Sequence, residues 1–219
     1  MYRSILDFGE HSFVERKSTF IGRAAPVHSE DEANDFIAAI RDNEPRATHH
    51  CACYRIGRDG RYQKADDNGE PHGTAGIPML EVLKKEDLTD VVVVVTRYFG
   101  GIKLGASGLV RAYSKGCHEA IEAARIAFFA PFSLVSATYS YAAKGKIDYE
   151  MAPYVALEPE YDEAVRARYW VPEGDVDKVQ EQLLNLTSGN LVWTVEQTRH
   201  LPMNAEGKPL EGRIEDVRP

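Results

Sequence analysis

The sequence predicts an α+β protein of two domains, on three observations. The unbroken run Val91–Val95 is followed by a glycine-rich stretch and then by a long amphipathic segment, which reads as a buried strand feeding a helix. The pattern of alternating elements stops near Pro131 and begins afresh in the order β-α-β-β-α-β. Charge also divides unevenly there: residues 1–133 hold 17 basic and 19 acidic residues, and residues 134–219 hold 9 and 15.

Taken in order, His11 to Ala25 reads as two short strands turning near Lys17-Ser18. Ser29-Glu-Asp-Glu32 is a capping box, and the helix behind it places Ala33, Phe36, Ile37 and Ile40 at intervals of three and four. Glu44-Pro45 stops it, because the residue before proline disfavours helical backbone. Ala47–Gly57 is a strand, and Arg58-Asp-Gly60 turns it into a hairpin ending at Lys64. Asp66–Gly76 is a loop, and a helix beginning at Thr74 or Gly76 runs to Lys85. Val91–Thr96 is the buried strand; a helix follows Gly108, with Leu109, Val110, Tyr113, Cys117, Ala120, Ile121 and Ala124 on one face.

In the second half, Leu134–Tyr141, Tyr154–Glu158, Glu163–Val171 and Leu191–Arg199 read as strands. Lys144–Ala152 and Asp175–Leu186 read as helices, the latter with Val176, Val179, Leu183 and Leu186 aligned. That order is a ferredoxin-like split βαβ unit. The predicted domains are residues 1–131 and 134–202, with a mobile tail over 203–219 that is rich in charge, glycine and proline.

Composition narrows the functional classes. Hydrophobic residues make up 43% and charged residues 27%, enough to bury a core. The longest apolar run of valines is far short of a membrane span, and the N-terminus lacks the apolar core of a secretory signal. Three cysteines, Cys51, Cys53 and Cys117, argue against a disulfide framework. A cytoplasmic location is expected, with no membrane partner and no sequence-specific DNA reading. The net charge of −8 disfavours indiscriminate nucleic-acid binding. Yet residues 91–118 contain Arg97, Lys103, Arg111 and Lys115 and no acid.

Three stretches carry candidate chemistry. In Asp66–Gly76, Gly73 and Gly76 flank Thr74 where a helix starts, an arrangement that presents free N–H groups to an anion. Asp67 and Glu70 would repel that anion unless a cation bridged them, so the loop reads equally as an acid-rich helix cap. In Thr96–Ser114, Arg97, Tyr98 and Phe99 precede a glycine loop carrying Lys103, and Arg111 follows on the helix. Cations, aromatic rings and a helix N-terminus suit phosphate or RNA, and the alternative is a packing loop with Arg97 paired to an acid such as Glu70. The glycine spacing is neither a Walker loop nor a dinucleotide-binding fingerprint. In Thr48–Tyr54, His49, Cys51 and Cys53 share one face of a strand. A metal site with His72, or a cysteine nucleophile beside His49, competes there with plain core lining; three residues in line on one strand cannot close a tetrahedron, and no metal or cofactor is expected.

The segments Glu15–Gly22, Ala47–Gly57, Gly69–Leu80 and Val92–Gly105 together resemble the YigZ/IMPACT family in order and spacing, with Arg97–Gly105 the most specific. The resemblance covers about residues 1–130 and, by element order alone, the second domain. It implies a first domain of the β-α-β fold shared by a small-subunit ribosomal protein and domain IV of the translocation elongation factor. It also implies a second domain similar to a ferredoxin-like domain of that factor. Eukaryotic relatives are translation regulators that bind the activator of a stress-response kinase through an additional domain, which is not seen in these 219 residues. Carried over by position, the family's candidate site is His49, Asp67, Glu70, Thr74, Arg97, Tyr98, Lys103 and Arg111. Cys53 stands where alanine is more usual, Ser107 where glycine is, and Asn68 removes one acid from a commonly doubled pair.

Three functions fit these features. The first is a non-catalytic, translation-associated regulator binding RNA or the ribosome through Arg97, Tyr98, Lys103, Arg111 and Lys115. The second is a phosphate-handling enzyme using Asp67, Glu70, Arg97 and Lys103 with His49 as acid or base. The third is a protein-interaction module in which the second domain meets a protein partner, with Tyr139, Tyr141 and Tyr169 on an open sheet face.

Overall fold

A computed structural model describes residues 1–210. Two units emerge, Tyr2–Ala127 and Phe128 onward, and each is mixed α/β.

The first unit contains β1 (Tyr2–Ile5), β2 (Gly9–Glu15), β3 (Ser18–Pro26), α1 (Glu30–Asn43), β4 (His49–Ile56), β5 (Tyr62–Asp66), α2 (Gly76–Lys85), β6 (Val91–Tyr98) and α3 (Ala106–Ala124). Five strands form an antiparallel sheet in the order β2-β3-β6-β4-β5. The valine run is its middle strand, and period-2 alternation splits it between two cores. Val92 and Val94 meet Ile37 and Ile40 of α1 on one face. Val91, Val93 and Val95 meet Met79, Leu83, Tyr113 and Ile121 of α2 and α3 on the other. α1 begins as predicted: the Ser29 side chain accepts from Glu32 N at 3.2 Å, and Glu32 reaches back to His28 N at 2.7 Å. α3 starts earlier than its apolar periodicity suggests, at Ala106, so Gly108 lies inside the helix.

Close approach of α3 to the sheet depends on missing side chains. A Cβ on Gly22 of β3 would stand 2.2 Å from the carbonyl oxygen of Gly116 in α3. Contact at that depth is what lets the small residues Ala112, Gly116 and Ala120 bury the helix face.

The second unit is built from β7 (Ile126–Tyr139), α4 (Lys144–Met151), β8 (Val155–Ala156), β9 (Glu160–Tyr161), β10 (Val165–Pro172), α5 (Val176–Leu186) and β11 (Val192–Met203). β7 is eight residues longer at its start than the predicted strand, and its first two residues fall in the first unit. Proline removes a backbone donor but tolerates extended geometry, so Pro131 is carried within the strand, opposite His200. The antiparallel order β11-β7-β10-β8 corresponds to strands 4-1-3-2 of the β-α-β-β-α-β unit, the ferredoxin-like arrangement. Between this sheet and its helices, Val135, Tyr139, Ile147, Tyr169, Val179 and Leu183 form a core, with Trp193 packed against it. Tyr139 and Tyr169 are thus buried and not displayed on an open face, while Tyr141 is exposed. A second cluster gathers Phe132, Leu134, Trp170 and Leu201. Beyond β11 the chain turns at Asn204–Gly207 and returns, Leu210 N bonding Pro202 O at 2.8 Å, where the sequence predicts a tail. The remainder of that predicted tail lies outside the described residues.

Gly22→Ala is expected to destabilise the protein by about 1–3 kcal/mol, the usual penalty for overpacking. Denaturant unfolding monitored by far-UV circular dichroism checks this, as a lowered midpoint with the slope kept.

Candidate functional site

The sheet register assembles the site. Phe20 of β3, Arg97 of β6 and His49 of β4 are direct cross-strand neighbours and share the face that α2 and α3 cover. Arg97 is only 5% exposed. Its Nη1 donates to Glu70 Oε1 at 2.6 Å and its Nη2 to Ser18 Oγ at 3.3 Å. Its guanidinium carbon sits 5.5 Å from the Phe20 ring centroid and 5.3 Å from that of Phe99. Tyr113 of α3 donates to the same Glu70 Oε1 at 2.8 Å, and His49 Nε2 lies 3.8 Å from it. His49 Nδ1 is 2.8 Å from the Asn68 carbonyl oxygen, which fixes the ring.

Arg97 is therefore the clamp of a buried network and not a surface cation for RNA, which corrects its place in the predicted basic set. Tyr98 is corrected as well. As the next residue in the strand it points to the opposite face, where its hydroxyl donates to Glu44 Oε2 at 3.1 Å.

The acid-rich loop resolves into a cap. Asp67 Oδ2 accepts from Gly73 N at 2.7 Å, and its Oδ1 accepts from Ala75 N at 3.0 Å and Gly76 N at 2.9 Å. Those bonds hold the first turn of α2 in place of a conventional side-chain cap. Thr74 turns its hydroxyl to Pro71 O at 2.6 Å. Burial alone would raise the Asp67 pKa, but the Gly73, Gly76 and Ala75 amides, with exposed His72 beside them, outweigh it and hold the carboxyl below its ordinary value. Asp67 is thus engaged by the first turn of α2, and Glu70 is the acid that meets Arg97, as the packing alternative for that arginine has it.

What the fold does bring together is a cleft of about 400 Å³. Thr48, His49, Glu70, Arg97, Phe99 and Lys103 line it, together with Gly105 and Ala106 at the start of α3. Gly105 adopts φ +74° and offers no side-chain cap, so α3 opens with uncapped amides and no acid in its first turn. A neighbouring cleft of about 220 Å³ shares Leu104 with the first, and its charged lining is Arg16, Arg111 and Lys115 with one acid, Glu15. Arg16 lies in the β2–β3 turn, and its Nη1 reaches Lys103 O at 3.4 Å. Sequence reading missed Arg16, because only the sheet brings that turn beside α3. Lys103 and Arg111 are exposed and have no acidic partner among the described residues; Lys115 is 3.7 Å from Glu119 and 4.4 Å from the Phe13 ring centroid.

Cys51 is fully buried, its thiol donating to Asp67 O at 3.0 Å. Burial pushes it up to about 12, eased by the Tyr113 hydroxyl and reinforced by the Glu70, Asp67 and Asp66 carboxylates, so it is no thiolate nucleophile at neutral pH. Among the described residues, no group of three His, Cys, Asp or Glu side chains is placed to hold a metal ion, and no helix is long and apolar enough to cross a membrane.

IMPACT family member YvyE of Bacillus subtilis is 42% identical over 190 residues, covering 86% of this chain and 88% of that protein. The chain belongs to the IMPACT family. The Impact N-terminal domain model matches residues 16–121, which include all lining residues of both clefts but Phe13 and Glu15. A crystal structure of a protein described only as hypothetical is similar at 27% identity and a TM-score of 0.59, over 90% of this chain and 97% of that one. A structure of Yih1, described as a two-domain translational regulator, matches 53% of this chain and 46% of its own at 31% identity, with a TM-score of 0.40.

Two outcomes follow for this IMPACT family chain. Arg97→Ala, which leaves Glu70 buried without its cation, is expected to cost about 3–5 kcal/mol in stability, measurable by denaturant unfolding. For Asp67, the folded pKa lies below the unfolded one, so its contribution is fully present above the unfolded value and lost as pH falls through the folded one. Asp67→Ala is expected to cost about 1–3 kcal/mol at neutral pH and much less at the acid end, read from melting scans across that range.

Proposed function

We propose that the protein is a non-catalytic, translation-associated regulator that binds RNA, free or on the ribosome. Family membership supports the translational setting, as does the description of Yih1 as a translational regulator. One observation carries the RNA half. Arg16, Arg111 and Lys115 line one cleft, and Lys103, exposed Phe99 and the uncapped start of α3 line the cleft beside it. Phosphates tracking the cations would bring bases to the ring, the combination that binds single-stranded nucleic acid without needing a basic protein overall. The contact set is Arg16, Lys103, Arg111 and Lys115, with Arg97 and Tyr98 removed from it.

A phosphate-handling enzyme is the second reading, favoured by the single cleft that holds His49, Glu70, Arg97 and Lys103. Against it, Asp67 is spent on α2, and Glu70 Oε1 already accepts from both Arg97 and Tyr113. A protein partner for the second unit remains compatible with the RNA reading.

Binding of the purified protein to ribosomal particles and to single-stranded RNA is expected to weaken steeply with salt. Four cations imply a log–log slope of roughly −3, at about −0.7 per phosphate neutralised. Lys103→Ala/Arg111→Ala is expected to flatten that slope by about 1.4 while leaving the melting temperature unchanged. No binding at low salt would remove the RNA reading, and release of phosphate from nucleotides by the unaltered protein would favour the enzyme.

A further inference from the structure

Glu70 is held from one side only. Its side chain is 3% exposed, yet Arg97, Tyr113 and His49 all address Oε1, and among the described residues Oε2 has no hydrogen bond. Glu70 nonetheless lines the 400 Å³ cleft. A carboxylate oxygen only accepts, so a ligand meeting it must bring N–H or O–H donors. Thr48 stands in the same cleft with the opposite capacity. Its Oγ1 accepts from Phe99 N at 3.1 Å, which leaves its own proton to donate. Phe99 lines the same cleft and keeps 47% of its surface exposed, with the Arg97 guanidinium beside its ring. The cleft thus offers a stacking ring, one buried anionic acceptor and one hydroxyl donor, and Lys103 stands at the cleft with the further cations of the adjoining cleft next to it.

We infer that this cleft takes one unpaired guanine base, stacked on Phe99, with Glu70 Oε2 accepting from N1–H and the 2-amino group and the Thr48 hydroxyl donating to O6. The inference rests on the RNA reading above and names the chemistry that RNA must present. Guanine alone among the four bases places two donors on adjacent atoms beside a carbonyl acceptor. Adenine and cytosine offer one amine beside a ring lone pair, which a carboxylate repels. Uracil flanks its single N–H with two carbonyls. At about 400 Å³ the cleft is of the size that small-ligand sites occupy, roughly 300–1,000 Å³.

Calorimetric titration of the intact protein with GMP, AMP, CMP and UMP tests this. GMP is expected to bind about tenfold or more tighter than the others, the discrimination that good base-edge hydrogen bonds give. N1-methyl-GMP, which blocks the central donor, is expected to lose that advantage with no change to the protein. Thr48→Val is expected to weaken GMP selectively, and Phe99→Ala to weaken all four nucleotides. Equal affinities for the four, or undiminished binding of N1-methyl-GMP, would overturn the inference. Salt-sensitive RNA binding with no preference for guanine would sink it and leave the RNA reading standing; selective GMP binding without RNA binding would do the reverse.

Discussion

The first unit is organised around a buried ion pair. Arg97 and Glu70 leave water together, and such a pair adds little net stability when whole and a large penalty when halved. Its importance is connective. Arg97 is fixed by the central strand, Ser18 by β3, Tyr113 by α3 and Glu70 by the loop before α2, so four separate stretches of chain share one hydrogen-bonded group. A one-residue slip of register in β6 would swing Arg97 to the opposite face and strand Glu70 alone. The specificity of the sheet and the wall of the cleft are thus the same set of atoms.

That dual role explains why charge counting along the chain misleads. Arg97, Lys103, Arg111 and Lys115 look alike as four cations without an acid, but Arg97 meets an acid 27 positions away, and a turn far upstream supplies Arg16 in its stead. Tyr98 follows Arg97 in sequence and leaves by the other face, a consequence of strand alternation that the predicted contact set did not apply. The acid-rich loop tells the same story from the opposite sign. A carboxylate ahead of a glycine-bearing helix start can await a cation or satisfy the helix amides, and only the distances at Asp67 decide between them.

The fold was far more legible than the site, for a physical reason. Capping boxes, valine runs and apolar periodicity are local, so Ser29, Val91–Val95 and the α3 face identified their elements directly. The ferredoxin-like order could be read from the alternation of element types, with α5 carrying a clear apolar stripe in Val176, Val179 and Leu183. Boundaries failed where a residue has two uses: Pro131 ended an element in the reading and sits inside a strand in the fold. A binding surface is non-local by nature. The two clefts draw on β2, β4, β6, α3 and the loops at residues 70 and 99–105, and no single window contains that pattern.

Both tryptophans of the chain, Trp170 and Trp193, stand in the second unit, in or against its cores, while the aromatic complement of the first unit is tyrosine and phenylalanine. The protein therefore carries a natural optical label confined to one half. Indole emission excited at the red edge reports the ferredoxin-like unit by itself, and tyrosine absorbance is weighted toward neither half alone. Two melting curves recorded on one sample, one from indole emission and one from backbone ellipticity, would separate if the halves unfold independently and coincide if they unfold as one, with no dye, tag or truncation needed.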